Sequence, residues 1–146
     1  MFTQDDIFNV LTQYPSLNFA GGNRGVKQTD EEFLAGRSKL YNSADRINQI
    51  CDWIQANTYQ TRHLNTKQTS YGWKHTCEKD IGYVANGEFI LAALLCGYRP
   101  RMMHRRLDHN VIFNMALTSK YLGVRRQKIH KQINDGVKAY LEQRLS

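Results

Sequence analysis

The chain has 146 residues, of which 41% are hydrophobic and 23% charged, and its formal net charge at pH 7 is +7. This composition is typical of one globular domain, and it excludes wholesale disorder and two full-sized domains. The longest apolar run, Phe89 to Cys96, is far shorter than the roughly 20 residues of a membrane-spanning helix. Because the first residues also lack the pattern of a secretion signal, we expect a cytoplasmic protein with no membrane partner.

The positive charge is concentrated in the last third of the chain. Residues 1–96 contain nine Lys/Arg and ten Asp/Glu, whereas residues 97–146 contain eleven Lys/Arg and three Asp/Glu. We therefore expect a single domain, 1–146, with a near-neutral core region, 1–96, and a basic region, 97–146, that faces nucleic acid. Such an asymmetry favours binding to a polyanionic partner over positive charge that serves only to keep the protein soluble.

The first half of the chain predicts three helices. Thr3 is placed to cap the first, which Pro15 ends. A glycine-rich loop over residues 16–28 follows, and the acidic run Thr29 to Glu32 begins the second helix. Ser43 precedes a third helix, whose apolar residues follow the helical spacing i, i+3, i+4, i+7: Ile47, Ile50, Cys51 and Ile54.

The second half predicts further helices and no strand of useful length. Residues 70–79 predict a helix that ends near Gly82, and Asn86 with Glu88 opens the most apolar helix, closed by Gly97 as a left-handed cap. Two last helices are predicted over residues 110–122 and 125–145. The expected fold class is all-α, a compact bundle of about six or seven short helices that ends in a helix-turn-helix-like hairpin.

The three cysteines are widely spaced and form no Cys-x-x-Cys pair. This pattern does not indicate a structural zinc site, so we expect free thiols, no bound metal and no cofactor.

The segment of residues 116–136 has the features of a DNA-binding hairpin. Ser119 is small where two helices would meet, Gly123 permits a tight turn and Val124 follows it as an apolar plug. Ile129 and Ile133 would form the buried face of the second helix. With these residues and Thr118, Lys120, Leu122, Lys131 and Gly136, the segment resembles the helix-turn-helix of Cro-type phage repressors, although Arg125-Arg126 replaces the usual small polar cap.

The resemblance covers 21 of the 146 residues and implies that a second helix enters the major groove of duplex DNA, usually as a homodimer. The side chains placed to contact base edges are Arg126, Gln127, Lys128 and Lys131. Upstream, the arginine-rich connector Arg99 to Arg106 is suited to phosphate contacts. The complete predicted interface is Arg99, Arg101, Arg105, Arg106, Lys120, Arg125, Arg126, Gln127, Lys128, His130 and Lys131.

The first functional hypothesis is therefore a non-enzymatic DNA-binding protein, such as a phage or plasmid transcriptional regulator, in the host-cell cytoplasm. Residues 70–93 resemble a pattern in short phage and mobile-element proteins, which implies no chemistry. A second hypothesis is a mobile-element inhibitor that binds a host protein or ribonucleoprotein, as anti-CRISPR proteins do. A third is a small nuclease that uses His75 and Glu78, three residues apart on a predicted helix.

Overall fold

A computed structural model describes residues 1–102 and 109–145, in which it contains six α-helices and four three-residue β-strands. In chain order these are α1 (Gln4–Gln13), α2 (Asp30–Tyr41), α3 (Ala44–Asn57), β1 (Thr58–Gln60), α4 (Ser70–Ile81), α5 (Asn86–Leu95), β2 (Pro100–Met102), β3 (Val111–Phe113), β4 (Met115–Leu117) and α6 (Ser119–Leu145). The prediction of a mostly helical protein is confirmed, whereas the prediction of a purely all-α class is wrong because of the strands.

The chain divides by its contacts into two compact units, Met1–Ala116 and Leu117–Ser146. The first unit contains α1 to α5 and a buried core, and the second consists mainly of α6. The boundary between the near-neutral and the basic region lies after Cys96 and reflects composition alone. The boundary between the two units lies twenty residues later, after Ala116, and reflects contacts.

The helix starts of the first unit follow from local hydrogen bonding. Thr3 and Asp6 form a capping box at α1, and Thr29 and Glu32 form another at α2. In each pair the threonine hydroxyl accepts a backbone N–H that the helix leaves unpaired, and the carboxylate accepts the backbone N–H of the threonine. The predicted starts of these helices are confirmed.

Helix α5 is the centre of the first unit. Every residue from Asn86 to Ala93 is buried, and α5 packs against α1, α3 and α4. A helix that is apolar on all sides is stable only inside a core, so the composition of this segment dictates its place. The predicted apolar face of α3 is confirmed, since its four members are buried against this core. Gly82 and Gly97 end α4 and α5 with φ of 84° and 87°, as predicted.

The predicted helix over residues 110–122 is wrong. Strand β3 pairs antiparallel with β2, with Arg101 opposite Ile112, and β4 pairs with β1. Valine, isoleucine and phenylalanine are favoured in strands that are buried on both faces, and Val111, Ile112 and Phe113 are all buried. Tertiary burial therefore overrides a pattern that resembled the apolar period of a helix.

Asn114 separates β3 from β4 and joins three chain segments. Its side chain is 2% exposed, and its Oδ1 accepts the Arg99 N–H at 2.7 Å. Its Nδ2 donates to the carbonyl of Thr61 at 3.1 Å and to Oε1 of Gln60 at 3.4 Å. A buried amide with these partners fixes where the chain passes from one strand pair to the other.

The glycine-rich loop over residues 16–28 is confirmed as a loop, and it is packed rather than free-standing. The Gly22 N–H donates to the carbonyl of His109 at 2.8 Å. A Cβ placed on Gly87 of α5 would lie 1.9 Å from the carbonyl oxygen of Asn18, so only glycine allows this close approach. The loop is thus held by α5 on one side and His109 on the other.

Candidate nucleic-acid interface

The second unit presents seven of the eleven predicted interface residues on one uninterrupted helix. Thr118 caps the start of α6, since its hydroxyl accepts the Tyr121 N–H at 3.1 Å and its carbonyl accepts the Leu122 N–H. The helix then runs for 27 residues to Leu145, which corresponds to about 40 Å at 1.5 Å per residue. Its sequence is rich in lysine, arginine, glutamine and leucine, which favour helices, and it has no proline.

The predicted turn at Gly123 is therefore wrong, and so is the terminal hairpin. Positive φ occurs among the described residues at Gly82 and Gly97, and Gly123 lies inside α6. A helix-turn-helix needs a first helix against which the second can pack, and the segment before α6 forms the strands β3 and β4 instead. Ile129 and Ile133, predicted to be buried, are 48% and 57% exposed. A glycine inside a helix costs only about 1 kcal/mol relative to alanine, which the rest of α6 offsets.

The predicted contact residues of α6 are brought together, although not as predicted. Lys120, Gln127 and Lys131 are separated by seven and four residues, so they lie on one side of the helix, together with Lys138. The remaining predicted residues lie around the first half of the helix: Arg125, Arg126, Lys128 and His130. All of these side chains are exposed except Arg125, which is half-buried.

The first half of α6 is strongly basic. Residues 119–131 contain five Lys/Arg and no Asp/Glu, while residues 132–145 contain two of each. On α6 an ion pair joins Lys138 to Glu142 at 4.0 Å. Among the described residues, the five cations of the first half have no carboxylate partner, so an external anion can take that place.

The other predicted contacts belong to the first unit. Arg99 precedes β2 and Arg101 lies within it, and both are exposed. The guanidinium of Arg99 donates to the carbonyl of Arg62 at 2.6 Å, which holds two exposed arginines close together. Arg105 and Arg106 lie outside the described residues.

The segment from Ser70 to Val84 contains a second polar cluster, centred on Lys74 and Glu78. Lys74 Nζ lies 2.9 Å from Glu78 Oε1 and donates to the carbonyl of Val84 at 3.1 Å. Its ammonium group also lies 5.2 Å and 5.1 Å from the ring centres of Tyr71 and Tyr83. Lys74 is 7% exposed, and these contacts compensate for the burial of its charge.

His75 and Glu78 face each other as predicted, with Nδ1 and Oε2 separated by 2.8 Å. Partial burial alone would raise the pKa of Glu78, but hydrogen bonds from Lys74, the Val84 N–H and His75 outweigh it and hold that pKa below its usual value. Glu78 Oε1 thus joins α4 to the chain that enters α5, since it also accepts the Val84 N–H at 3.2 Å, while Oε2 pairs with His75 within α4. The spacing of Lys74 and Glu78, i and i+4 on a helix, is a signal of this cluster already present in the sequence.

The cysteines are free thiols with different environments. Burial raises the pKa of Cys77 to about 12. A hydrogen bond with Cys51 lowers the pKa of Cys96 against the opposing effect of burial, and the same bond raises that of Cys51. Among the described residues no group of three or more His, Cys, Asp or Glu side chains is placed to hold a metal ion.

No family model, curated protein or solved structure matches this chain. Within residues 1–102 and 109–145, no helix combines the length and apolar character that crossing a bilayer requires.

Proposed function

We propose that this protein binds nucleic acid, with duplex DNA as its preferred ligand, through the first half of α6. One observation carries the proposal: residues 119–131 present five cations and no carboxylate on an exposed helix. Lysine and arginine side chains neutralise the phosphates of a nucleic acid and release the counterions condensed on them. A surface of this kind therefore binds polyanions strongly.

The shape of α6 supports duplex DNA over RNA. A helix with its side chains is about 10–12 Å across, which fits the roughly 12 Å width of the DNA major groove. The major groove of duplex RNA is too narrow for side chains to reach base edges. Continuous basic helices enter the DNA groove without any helix-turn-helix, so this proposal does not need the hairpin that the sequence suggested.

Within such a complex the residues divide by role. Arg125 and Lys128 are suited to phosphates, since they lie away from the side that carries Lys120, Gln127 and Lys131. Gln127 and Lys131, four residues apart on one side, are suited to adenine and guanine edges. Arg99 and Arg101 on the first unit add a separate patch for phosphates.

The test compares matched pairs of lysines in the full chain. Lys128→Gln with Lys131→Gln removes two charges from α6, and Lys27→Gln with Lys79→Gln removes two exposed charges from the first unit. Binding of a labelled duplex is measured by fluorescence anisotropy over a series of salt concentrations. We expect the α6 pair to weaken binding and to reduce the slope of log K against log salt by about 2, while the control pair leaves both unchanged.

Two results would contradict the proposal. One is the absence of duplex binding at low salt. The other is an equal effect of the two lysine pairs, because binding would then depend on the total charge of the chain and not on the position of the cations. A single-stranded DNA and an RNA duplex of the same sequence, measured alongside, test the preference for duplex DNA.

A further inference from the structure

Helix α6 carries an apolar face as well as a basic one. Leu122, Ile129, Ile133 and Tyr140 are 48%, 48%, 57% and 56% exposed. Their spacings of seven, four and seven residues place them along one line of the helix, which we call the apolar seam. Each lies two positions after Lys120, Gln127, Lys131 or Lys138, and so roughly 200° around the helix from that residue.

We propose that the apolar seam pairs with the seam of a second copy of the chain, and that the two α6 helices run antiparallel. A repeat of seven residues with apolar groups at two positions is the pattern of a two-helix coiled coil. In this repeat Arg126 and Gly136 take the two remaining seam positions between Leu122 and Tyr140. Exposed apolar lines of this length on a helix mark contact surfaces.

The sizes and charges along the seam favour the antiparallel orientation. In a parallel pair in register, Arg126 would face Arg126 of the second copy and Gly136 would face Gly136. That arrangement places like charges together in one layer and leaves a gap in another. Reversing one helix places Arg126 opposite Gly136 of the second copy, where the long side chain has room.

The same reversal also matches the other layers. Leu122 then lies opposite Tyr140 of the second copy, and Ile129 lies opposite Ile133. A large residue thereby fills the space beside a smaller one at both ends, and two isoleucines meet on each side of the centre. Each seam position from Leu122 to Tyr140 thus faces a complementary residue of the second copy, in six layers of one residue from each helix.

The distribution of charge along α6 points the same way. The half from 119 to 131 has a formal charge of five, and the half from 132 to 145 is neutral. Parallel pairing brings the two basic halves side by side, whereas antiparallel pairing places each beside a neutral half. The electrostatic repulsion is therefore smaller in the antiparallel dimer, and the cations of each basic half that lie outside the seam remain available at its two ends.

The first experiment measures the oligomeric state of the full chain by sedimentation equilibrium, with no nucleic acid present. We expect a reversible dimer, and Ile129→Asp raises its dissociation constant roughly 100-fold or more because two charges enter the interface. Val124→Asp is the matched control: Val124 is 45% exposed and lies on the opposite side of α6. A chain that stays monomeric at its highest soluble concentration, or an equal effect of the two variants, overturns the proposal.

The second experiment tests the orientation. A photoreactive phenylalanine analogue in place of Leu122 is irradiated in the full chain, and the covalent dimer is digested with trypsin. An antiparallel pair links residue 122 to the tryptic peptide of residues 139–144, which contains Tyr140. A link between two copies of the peptide of residues 121–125 overturns the antiparallel orientation. Because neither experiment contains DNA, a failure here is distinct from a failure of DNA binding.

Discussion

Arg37 belongs to α2 but completes the hydrogen bonding at the end of α1. Its guanidinium donates to the carbonyls of Leu11, Tyr14, Pro15 and Leu17 at 2.7, 3.1, 2.9 and 2.8 Å. The last carbonyls of a helix have no partner within the helix. This one side chain supplies donors for two of them, Leu11 and Tyr14, and for two carbonyls of the loop that follows, Pro15 and Leu17. Burial lowers the pKa of Arg37, although arginine stays charged at any physiological pH.

We expect Arg37→Lys to destabilise the first unit although it conserves the charge. A lysine ammonium cannot reach four carbonyls at once, and each hydrogen bond from a charged donor contributes about 1.5–3 kcal/mol. The free energy of unfolding falls by roughly 2 kcal/mol or more, measured by urea denaturation with the fluorescence of the buried Trp53 and Trp73. The exposed Lys27→Ala serves as the control, and an Arg37→Lys protein as stable as that control would contradict this role.

At the scale of elements, a substitution at Gly123 distinguishes the continuous helix α6 from the hairpin that the sequence predicted. A Cβ at Gly123 meets nothing within 4 Å, so Gly123→Ala fits the continuous helix without strain. We expect it to stabilise α6 by about 0.5–1 kcal/mol, seen as slower hydrogen exchange of the amides around residues 124–131. Gly97→Ala is the contrasting variant, because its φ of 87° makes alanine unfavourable. Faster exchange in Gly123→Ala would instead support a turn at this residue.

The elements that could be predicted from sequence are those with strong local signals. The capping residues Thr3 and Thr29 and the cap Gly97 act within a few residues of themselves, so the starts of α1 and α2 and the end of α5 follow from the sequence. The strands β3 and β4 could not be predicted in this way. β4 pairs with β1, which is distant along the chain, whereas β3 pairs with β2, the strand directly before it. Both are three-residue strands, which have too few residues to show an alternating pattern.

For the candidate interface, the sequence predicts which residues are charged but not how they are arranged. Charge is a property of composition, so the cations of residues 119–131 were identified without any structure. Their arrangement was not, because Leu122-Gly123-Val124 with Ile129 and Ile133 suits both a packed hairpin and the exposed face of one long helix. Only contacts from elsewhere in the fold distinguish the two, and α6 has no buried residue.

At the scale of the whole molecule, the division after Ala116 predicts that the first unit is independent of α6. The buried core lies within residues 1–116, and no residue of α6 is buried. We expect a chain that ends at Thr118, which retains β4, to unfold cooperatively with a free energy within about 1 kcal/mol of the full chain. The same chain loses duplex binding, which anisotropy measures alongside. A chain to Thr118 that fails to fold would contradict this independence.

The hydrogen bond from Gly22 to the carbonyl of His109 has a consequence for synthesis on the ribosome. Chains emerge from the N-terminus at about 5–20 residues per second, so the loop before α2 waits for most of the first unit to be translated. Val111, Phe113 and Met115, which fill the core, arrive at the same late stage. Until then the side of α4 that packs against β3 stays uncovered, and we expect chaperones to bind nascent chains in which residues 109–115 have not yet left the ribosome more strongly than the completed chain.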